Sequence, residues 1–440
     1  MPEEKLPEGW IRSPLLSLCE FVRGVSYKRG EARQEEAPGY VPLLRAGNIQ
    51  DGLIFEDMKF VPEERVSENQ LLQKGDVLVA MSSGSKKVVG KAGQLREEWR
   101  GTFGAFCSIL RPRPVVAPGF FGYFFNTREY RDYIYGASAG VNINNLKKTH
   151  FEDIEFPLPP LPEQKRIVAK LDEIMAEIKV AREHLKKAKE LLRKFRQSVL
   201  NAAVTGKLTE EWRRAHGFEN TCDDLNHKSI DPHPKSWQVL QGSDLFEFIT
   251  SGSRGWAKYY SDSGPLFIRM GNLDHFTVDL DFSRLQHVEP SNSAERARTS
   301  VLHNDILVSI TADVGMIGIV PEGIGEAYVN QHVAIARLDN SQPAIPEFIA
   351  WFLTAPKGGQ KQFLDLQRGA TKVGLGLQDI RAVEIPLPPM NEQAEIVLRL
   401  RRTLQVVQNI NDQIEELLER TITMIEESAL TKAFCGKLVE

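Results

Sequence analysis

From residue 163 onward the apolar positions fall on one stripe: Ile167, Leu171, Ile174, Ile178, Ala181, Leu185, Ala188, Leu192, Phe195 and Val199 recur at alternating steps of four and three. That spacing is a heptad seam, and it predicts one long helix packed along another. A second stripe, Val397, Leu400, Leu404, Val407, Asn411, Ile414, Leu418 and Ile425, predicts the partner helix. Asn411 stands at a seam position, where a polar side chain either fixes register or lies at the seam edge. Prolines precede both stripes. Because proline blocks helix upstream, the first helix is expected to start after Pro162.

The chain ahead of each stripe has a different texture. Short β-branched and aromatic runs, punctuated by Gly, Pro, Asn and Asp, read as strands, most clearly at 77–80 and 306–310. Helical patterns near 119–135 and 346–366 make each of these regions α+β.

These two blocks are copies of each other. Pro157-Leu158-Pro159-Pro160-Leu161-Pro162-Glu163-Gln164 returns as Pro386-Leu387-Pro388-Pro389-Met390-Asn391-Glu392-Gln393, 229 residues later. The helical stretches close on Gly206-Lys207-Leu208 and Gly436-Lys437-Leu438. Further anchors recur upstream: Trp10 and Trp237, Gly75-Asp76 and Asn304-Asp305, Arg45 with Asn48 and Arg269 with Asn272. A repeat this long exceeds any solenoid unit. It implies two whole domains, each with a long helix, in approximate two-fold symmetry. Duplex DNA is the commonest partner with matching symmetry. The expected division is a first recognition domain at 1–156, a first spacer helix region at 157–208, a linker at 209–233, a second recognition domain at 234–385 and a second spacer helix region at 386–440. The polar linker is expected to be a mobile connector with little internal structure.

Charge adjusts this picture. The net charge of −4 counts against simple nucleic-acid binding and confines any DNA-facing surface to local patches. Residues 156–215 carry 14 basic and 8 acidic side chains, whereas 386–440 carry 6 and 9. Opposite signs favour packing the two helices together. No run of about 18 apolar residues suggests a membrane span. The N-terminal residues lack the pattern of a signal peptide, and the four scattered cysteines read as reduced thiols, so a cytoplasmic protein is expected.

Several chemical signatures fail on inspection. Gly136-Ala137-Ser138-Ala139-Gly140 has nucleophile-elbow spacing, but a helical pattern precedes it where a strand is required. The stretch from Gly84 to Ala92 has one residue too many between its glycines for a Walker A loop, and Ala92 where a hydroxyl is needed. Its Gly/Ser/Lys composition still suits phosphate contact. Cys222, His227 and His233 lack finger spacing and a fourth metal ligand. No metal site, cofactor loop or catalytic cluster stands out.

The paired Pro-Leu-Pro-Pro-x-x-Glu-Gln openings, each leading to a long helix with a Gly-Lys-Leu tail, resemble the DNA specificity subunits of type I restriction–modification systems. The resemblance covers essentially the whole chain. It implies two target recognition domains, each reading half of a bipartite site, and an antiparallel coiled coil that fixes the gap. It also implies a non-catalytic subunit that directs adenine methylation by two methyltransferase (M) subunits. Restriction (R) subunits can join them. S-adenosylmethionine, ATP and Mg belong to those partners, with no cofactor in this chain. The competing reading is a coiled-coil protein-binding adaptor without DNA specificity.

Loops that differ between the halves and carry donors are the expected DNA contacts. In the first half these are Tyr27, Lys28, Arg29, Ser83, Ser85, Lys86, Lys87, Asn142, Asn144, Asn145 and Lys147. In the second they are Arg254, Trp256, Lys258, Tyr259, Thr311, Arg368, Thr371 and Lys372. Arg45, Asn48, Arg269 and Asn272 recur in both halves and are assigned to framework or phosphate roles.

Overall fold

The computed structural model describes residues 6–28, 30–50, 52–83, 85, 88–139, 145–218, 231–252, 254–290, 294–366 and 374–439. The chain divides into two compact units. One comprises Met1–Lys186 with Glu415–Glu440, and the other Lys187–Ile414. The first long helix, Leu161–Val204, therefore gives its N-terminal part to unit 1 and its remainder to unit 2.

Each unit contains the same three sheets. In unit 1 a four-stranded antiparallel sheet runs in the order Cys19–Arg23, Cys107–Pro112, Val77–Ala80, Ala92–Gln94. Unit 2 repeats it with Phe246–Ser251, Val333–Leu338, Ile306–Ser309 and Ile317–Ile319. A three-stranded sheet in each unit combines one antiparallel and one parallel pairing. A two-stranded ribbon joins each domain's first strand to the strand that enters the proline motif: Ile11–Pro14 with Glu155–Leu158, and Gln238–Gln241 with Glu384–Leu387. The apolar runs expected to be strands are central ones, and all four residues of Val77–Ala80 and of Ile306–Ser309 are buried.

One buried ion pair ties each large sheet together. Arg111 clasps Asp76 through Nε and Nη2, both at 2.8 Å, and Arg337 clasps Asp305 in the same way at 2.7 Å. The fork-on-fork geometry supplies two parallel charge-assisted bonds. Asp76 and Asp305 also accept the backbone N–H of Gln73 and Leu302, which fixes the turn before each strand.

The core of each unit is completed by the end of a long helix. In unit 1, Phe434 stacks on Phe120 at 4.7 Å and meets Phe124 edge-on at 5.7 Å, while Leu430 and Ala433 are buried beside them. In unit 2, Leu200, Ala203 and Val204 join Ile396 and Leu400 in the same role. The helical segments within each unit run antiparallel. Arg182 meets Glu426 at 2.6 Å in unit 1. In unit 2, Arg399 bonds the Leu208 carbonyl at 2.9 Å, while Leu192 and Phe195 lie beside Val406 and Ile410. The Arg182–Glu426 pair realises the opposite charges of the two helices.

Several expectations are corrected. The first helix begins at Leu161, so Pro162 lies inside its first turn. Proline is tolerated there because first-turn N–H groups have no helical acceptor. The linker is not featureless: Glu210–Ala215 is helical and Arg213 is buried, held by Glu392. Residues 219–230, including Cys222 and His227, lie outside the described residues. Predicted seam positions also move, and Ala181 is exposed. Phe195 is 51% exposed although it faces Val406 and Ile410, because the groove they line is open. Ile425 is 50% exposed while Ile422 is buried, because a π-helical turn at Leu417–Thr421 separates Met390–Glu416 from Ile422–Phe434. A π turn holds an extra residue and so rotates the buried face.

Candidate nucleic-acid interface

The proline motif is framework. Gln164 accepts the Ala117 N–H at 2.6 Å and donates to the Pro159 carbonyl at 2.9 Å. Gln393 accepts the Ile345 N–H at 2.7 Å and donates to the Pro343 and Pro388 carbonyls, both at 2.8 Å. Each glutamine thus pins the long helix to a loop of its own domain. The preceding glutamates hold the recurring tryptophans: Trp10 Nε1 donates to Glu163 and Trp237 Nε1 to Glu392, both at 3.0 Å. The Gly-Lys-Leu tails end against the start of a domain. A Cβ on Gly206 would meet Pro234 at 2.5 Å, and one on Gly436 would meet Pro7 at 2.3 Å. Both glycines have positive φ, 76° and 70°.

Asn48 and Asn272 are framework as well. Each accepts the backbone N–H of the arginine three residues earlier, at 2.9 Å, and donates to carbonyls of the following loop.

Outside this framework, loops gather at one end of each four-stranded sheet. In unit 1 four segments converge there. Val25 bridges Gly104, and Ala105 N–H donates to the Val25 carbonyl at 2.9 Å. Met81 and Ser82 N–H both donate to the Phe106 carbonyl. Ser82 bridges Asn145, and Leu146 N–H donates to the Met81 carbonyl. The expected contacts Lys28, Ser83, Ser85, Asn145 and Lys147 lie on these segments, half-buried at Ser83 and exposed at the others. Tyr27 is half-buried against Val25, Leu43 and Val61. Lys28 N–H donates to Glu31, whose carboxyl is held below the usual carboxylate range first by that bond and then by Arg65. Arg29, Lys86, Lys87, Asn142 and Asn144 lie outside the described residues.

Unit 2 repeats the convergence with other side chains. Ile310 N–H donates to the His332 carbonyl at 2.9 Å, and Leu375 N–H to the Ile310 carbonyl at 2.9 Å. Thr311 bridges Gly374 as Ser82 bridges Asn145. Arg254 and Lys258 are exposed, and Tyr259 is half-buried with Lys258 Nζ 4.8 Å from its ring centroid. Arg368, Thr371 and Lys372 lie outside the described residues. Trp256 is a correction: it is 4% exposed and stacks on Phe267 at 5.7 Å, so its ring belongs to the core. An indole this apolar is worth more packed than solvated.

Reading the sequence missed the segment at the centre of each cluster: Ala105-Phe106 in unit 1 and Gln331-His332 in unit 2. Phe106 is 69% exposed. The available signal was positional, since both pairs immediately precede the central strand of the large sheet.

Two enzyme-like signatures dissolve. Gly136 and Ser138 lie within the helix Arg128–Ala139, not at a strand-to-helix elbow. The turn at residues 88–90 leads to the strand Ala92–Gln94, where a P-loop would lead to a helix. Among the described residues no helix is long and apolar enough to cross a membrane.

Comparison with known proteins agrees with this architecture. A family model described as the type I restriction modification DNA specificity domain matches twice, at residues 7–190 and 234–420. The type I restriction enzyme EcoKI specificity subunit of Escherichia coli K12 is 32% identical, over 100% of this chain and 91% of that protein. The StySPI specificity subunit of Salmonella potsdam is also 32% identical, with the same coverage. Two solved chains share the fold at 18% identity. One, from work on complex assembly and conformational transition of the type I R-M system, has a TM-score of 0.73 over 99% of this chain and 100% of its own. The HsdS subunit of Thermoanaerobacter tengcongensis has a TM-score of 0.54 over 99% of both. With the specificity-domain model matched in both halves and relatives aligned along its full length, this chain belongs to the family of type I restriction–modification DNA specificity subunits.

Proposed function

We propose that each unit reads one half of an asymmetric, bipartite DNA site through its loop cluster, and that the long helices fix the gap between the halves. The carrying observation is that the two units share sheets, ion pair and glutamine anchor residue for residue, yet fill the same loop positions with different side chains. One scaffold with two unlike readers suits two unlike half-sites. The helix Leu161–Val204 passes from one unit into the other without a break, and at about 1.5 Å per residue its 44 residues extend about 66 Å.

The chain itself is non-catalytic in this reading. Two methyltransferase (M) subunits carrying S-adenosylmethionine act where it directs them, and restriction (R) subunits using ATP and Mg join the assembly in the cytoplasm. Exposed apolar side chains on the long helices, Leu191, Phe195, Leu398, Val406 and Ile410 in unit 2 and Val180, Leu417 and Met424 in unit 1, suit contact with protein partners.

Mapping N6-methyladenine across a genome that carries this chain and its methyltransferase tests the reading. A gapped, asymmetric motif is expected, and methylation without sequence preference would overturn it. Insertion of one heptad into the first helix should change the gap and leave both half-sites intact. Turnover by the isolated chain would refute the non-catalytic role.

A further inference from the structure

The segment before the central strand of each large sheet is placed by a shared device. A Cβ on Gly24 would lie 2.1 Å from the Gly104 carbonyl oxygen, and one on Gly252 the same distance from that of Asn330. Only glycine allows this approach. Gly24 N–H then donates to the Cys107 carbonyl, and Gly252 N–H to the Val333 carbonyl. The framework therefore sets where Ala105-Phe106 and Gln331-His332 lie, and leaves their side chains free to differ.

In unit 2 those side chains form a relay. Thr311 Oγ1 lies 2.5 Å from His332 Nδ1, and Gln331 Nε2 lies 2.8 Å from His332 Nε2. One imidazole tautomer satisfies both contacts with the Gln331 amide nitrogen turned toward the ring. His332 Nδ1–H donates to Thr311, and Nε2 accepts an amide N–H from Gln331. The Asn330 side chain accepts the His332 backbone N–H at 3.1 Å, which fixes the backbone that carries the ring. The neighbouring turn carries Ala312 at φ 66°, a left-handed conformation that a non-glycine residue rarely takes and that clusters at functional loops. The relay leaves Gln331 with one amide N–H and its carbonyl oxygen for another partner. A donor and an acceptor side by side on a planar amide match the N7 and N6 edge of adenine in the major groove. Gln331 is neutral and brings no charge to a phosphate, and its paired donor and acceptor suit a base edge.

We propose that Gln331, oriented by the His332–Thr311 relay, reads an adenine in the half-site recognised by unit 2. Gln331 is the specificity-determining residue and His332 a positioning residue. This rests on the proposed function above and names one contact within it.

The test uses the full chain assembled with its methyltransferase and a library of sites randomised one position at a time. Gln331→Ala should lower discrimination for adenine about 5- to 150-fold at a single position of one half-site, leaving the other half-site and the gap unchanged. Gln331→Glu, which cannot donate to N7, should shift preference there toward cytosine, whose N4 amino group donates. His332→Ala should relax the same position and no other, and adding it to Gln331→Ala should change little further. Unchanged preference in Gln331→Ala, or a uniform loss over all sites, overturns the inference while the bipartite reading stands. Absence of sequence preference in the unsubstituted complex would instead overturn the reading on which it rests.

Discussion

The same glutamate of the repeated motif lives in two different environments. Glu163 in unit 1 is half-exposed and receives Trp10 Nε1. Glu392 in unit 2 is fully buried and receives three donors: Trp237 Nε1, Thr209 Oγ1 at 2.7 Å and Arg213 Nη1 at 2.5 Å. Arg213 is itself only 3% exposed. The glutamine beside each glutamate, by contrast, is buried in both units and makes the same bonds. Identity of sequence thus guarantees geometry for the glutamine and only geometry for the glutamate. What the glutamate contributes is set by how dry its site is and by what the linker helix brings to it.

The sharpest way to break this comparison is to remove each carboxylate in turn. Glu392→Ala takes the carboxylate from the buried pair with Arg213 and the acceptor from Trp237 and Thr209, and losing one partner of a buried pair costs about 3–5 kcal/mol. Glu163→Ala removes one bond at a partly wet position and should cost about 1 kcal/mol. Hydrogen exchange followed unit by unit measures both, and the loss of protection should be confined to the unit carrying the change. Equal costs in the two units would mean that Arg213 is not held by Glu392 in solution.

The glutamines provide the matched control. Gln164→Ala and Gln393→Ala each leave a buried N–H and buried carbonyls without a partner, which costs about 1–3 kcal/mol. The two costs should agree within about 0.5 kcal/mol, because the sites are equivalent and share no partner. Urea unfolding of the two variants gives the comparison directly. A large difference would show that the repeat preserves sequence without preserving packing.

Much of this framework was legible from residue pattern alone. Strands at 77–80 and near 306 stood out because a central strand is apolar on both faces and has no polar alternation to blur it. The recurrence of Trp10 and Trp237 was visible, although their hydrogen bonds to Glu163 and Glu392 were not, because those pairings span about 150 residues. The loop cluster was harder. Lys28, Asn145, Lys147, Arg254 and Lys258 were placed on or beside exposed loops correctly, but an aromatic–polar criterion cannot separate a buried Trp256 from an exposed Phe106. Tertiary contacts decide that distinction: Trp256 packs with Phe267, Val288 and Tyr328, whereas Phe106 is left exposed. Gln331 and His332 escaped notice because a strand-flanking dipeptide carries no periodic signal; only the backbone bonds from neighbouring strands bring it beside Thr311.

The second helix offers the subtlest contrast between pattern and packing. A strict heptad counted from Ile414 favours Ile425 for the seam, yet Ile422 is the residue buried in unit 1. Both are isoleucines three residues apart, so intrinsic helix propensity is identical and only position differs. The π-helical turn at Leu417–Thr421 accounts for this, since its extra residue carries the apolar face past Ile425. Ile422→Ala should therefore cost about 2–4 kcal/mol, and Ile425→Ala less than about 0.5 kcal/mol, in thermal or urea unfolding. Deleting Arg420 from the turn removes the extra residue and should restore uniform α-helical spacing while leaving the downstream face where it is, so Ile422→Ala should remain the costlier variant. If the ranking reverses in the deletion background, the turn at Leu417–Thr421 does not absorb the extra residue and another contact sets the buried face.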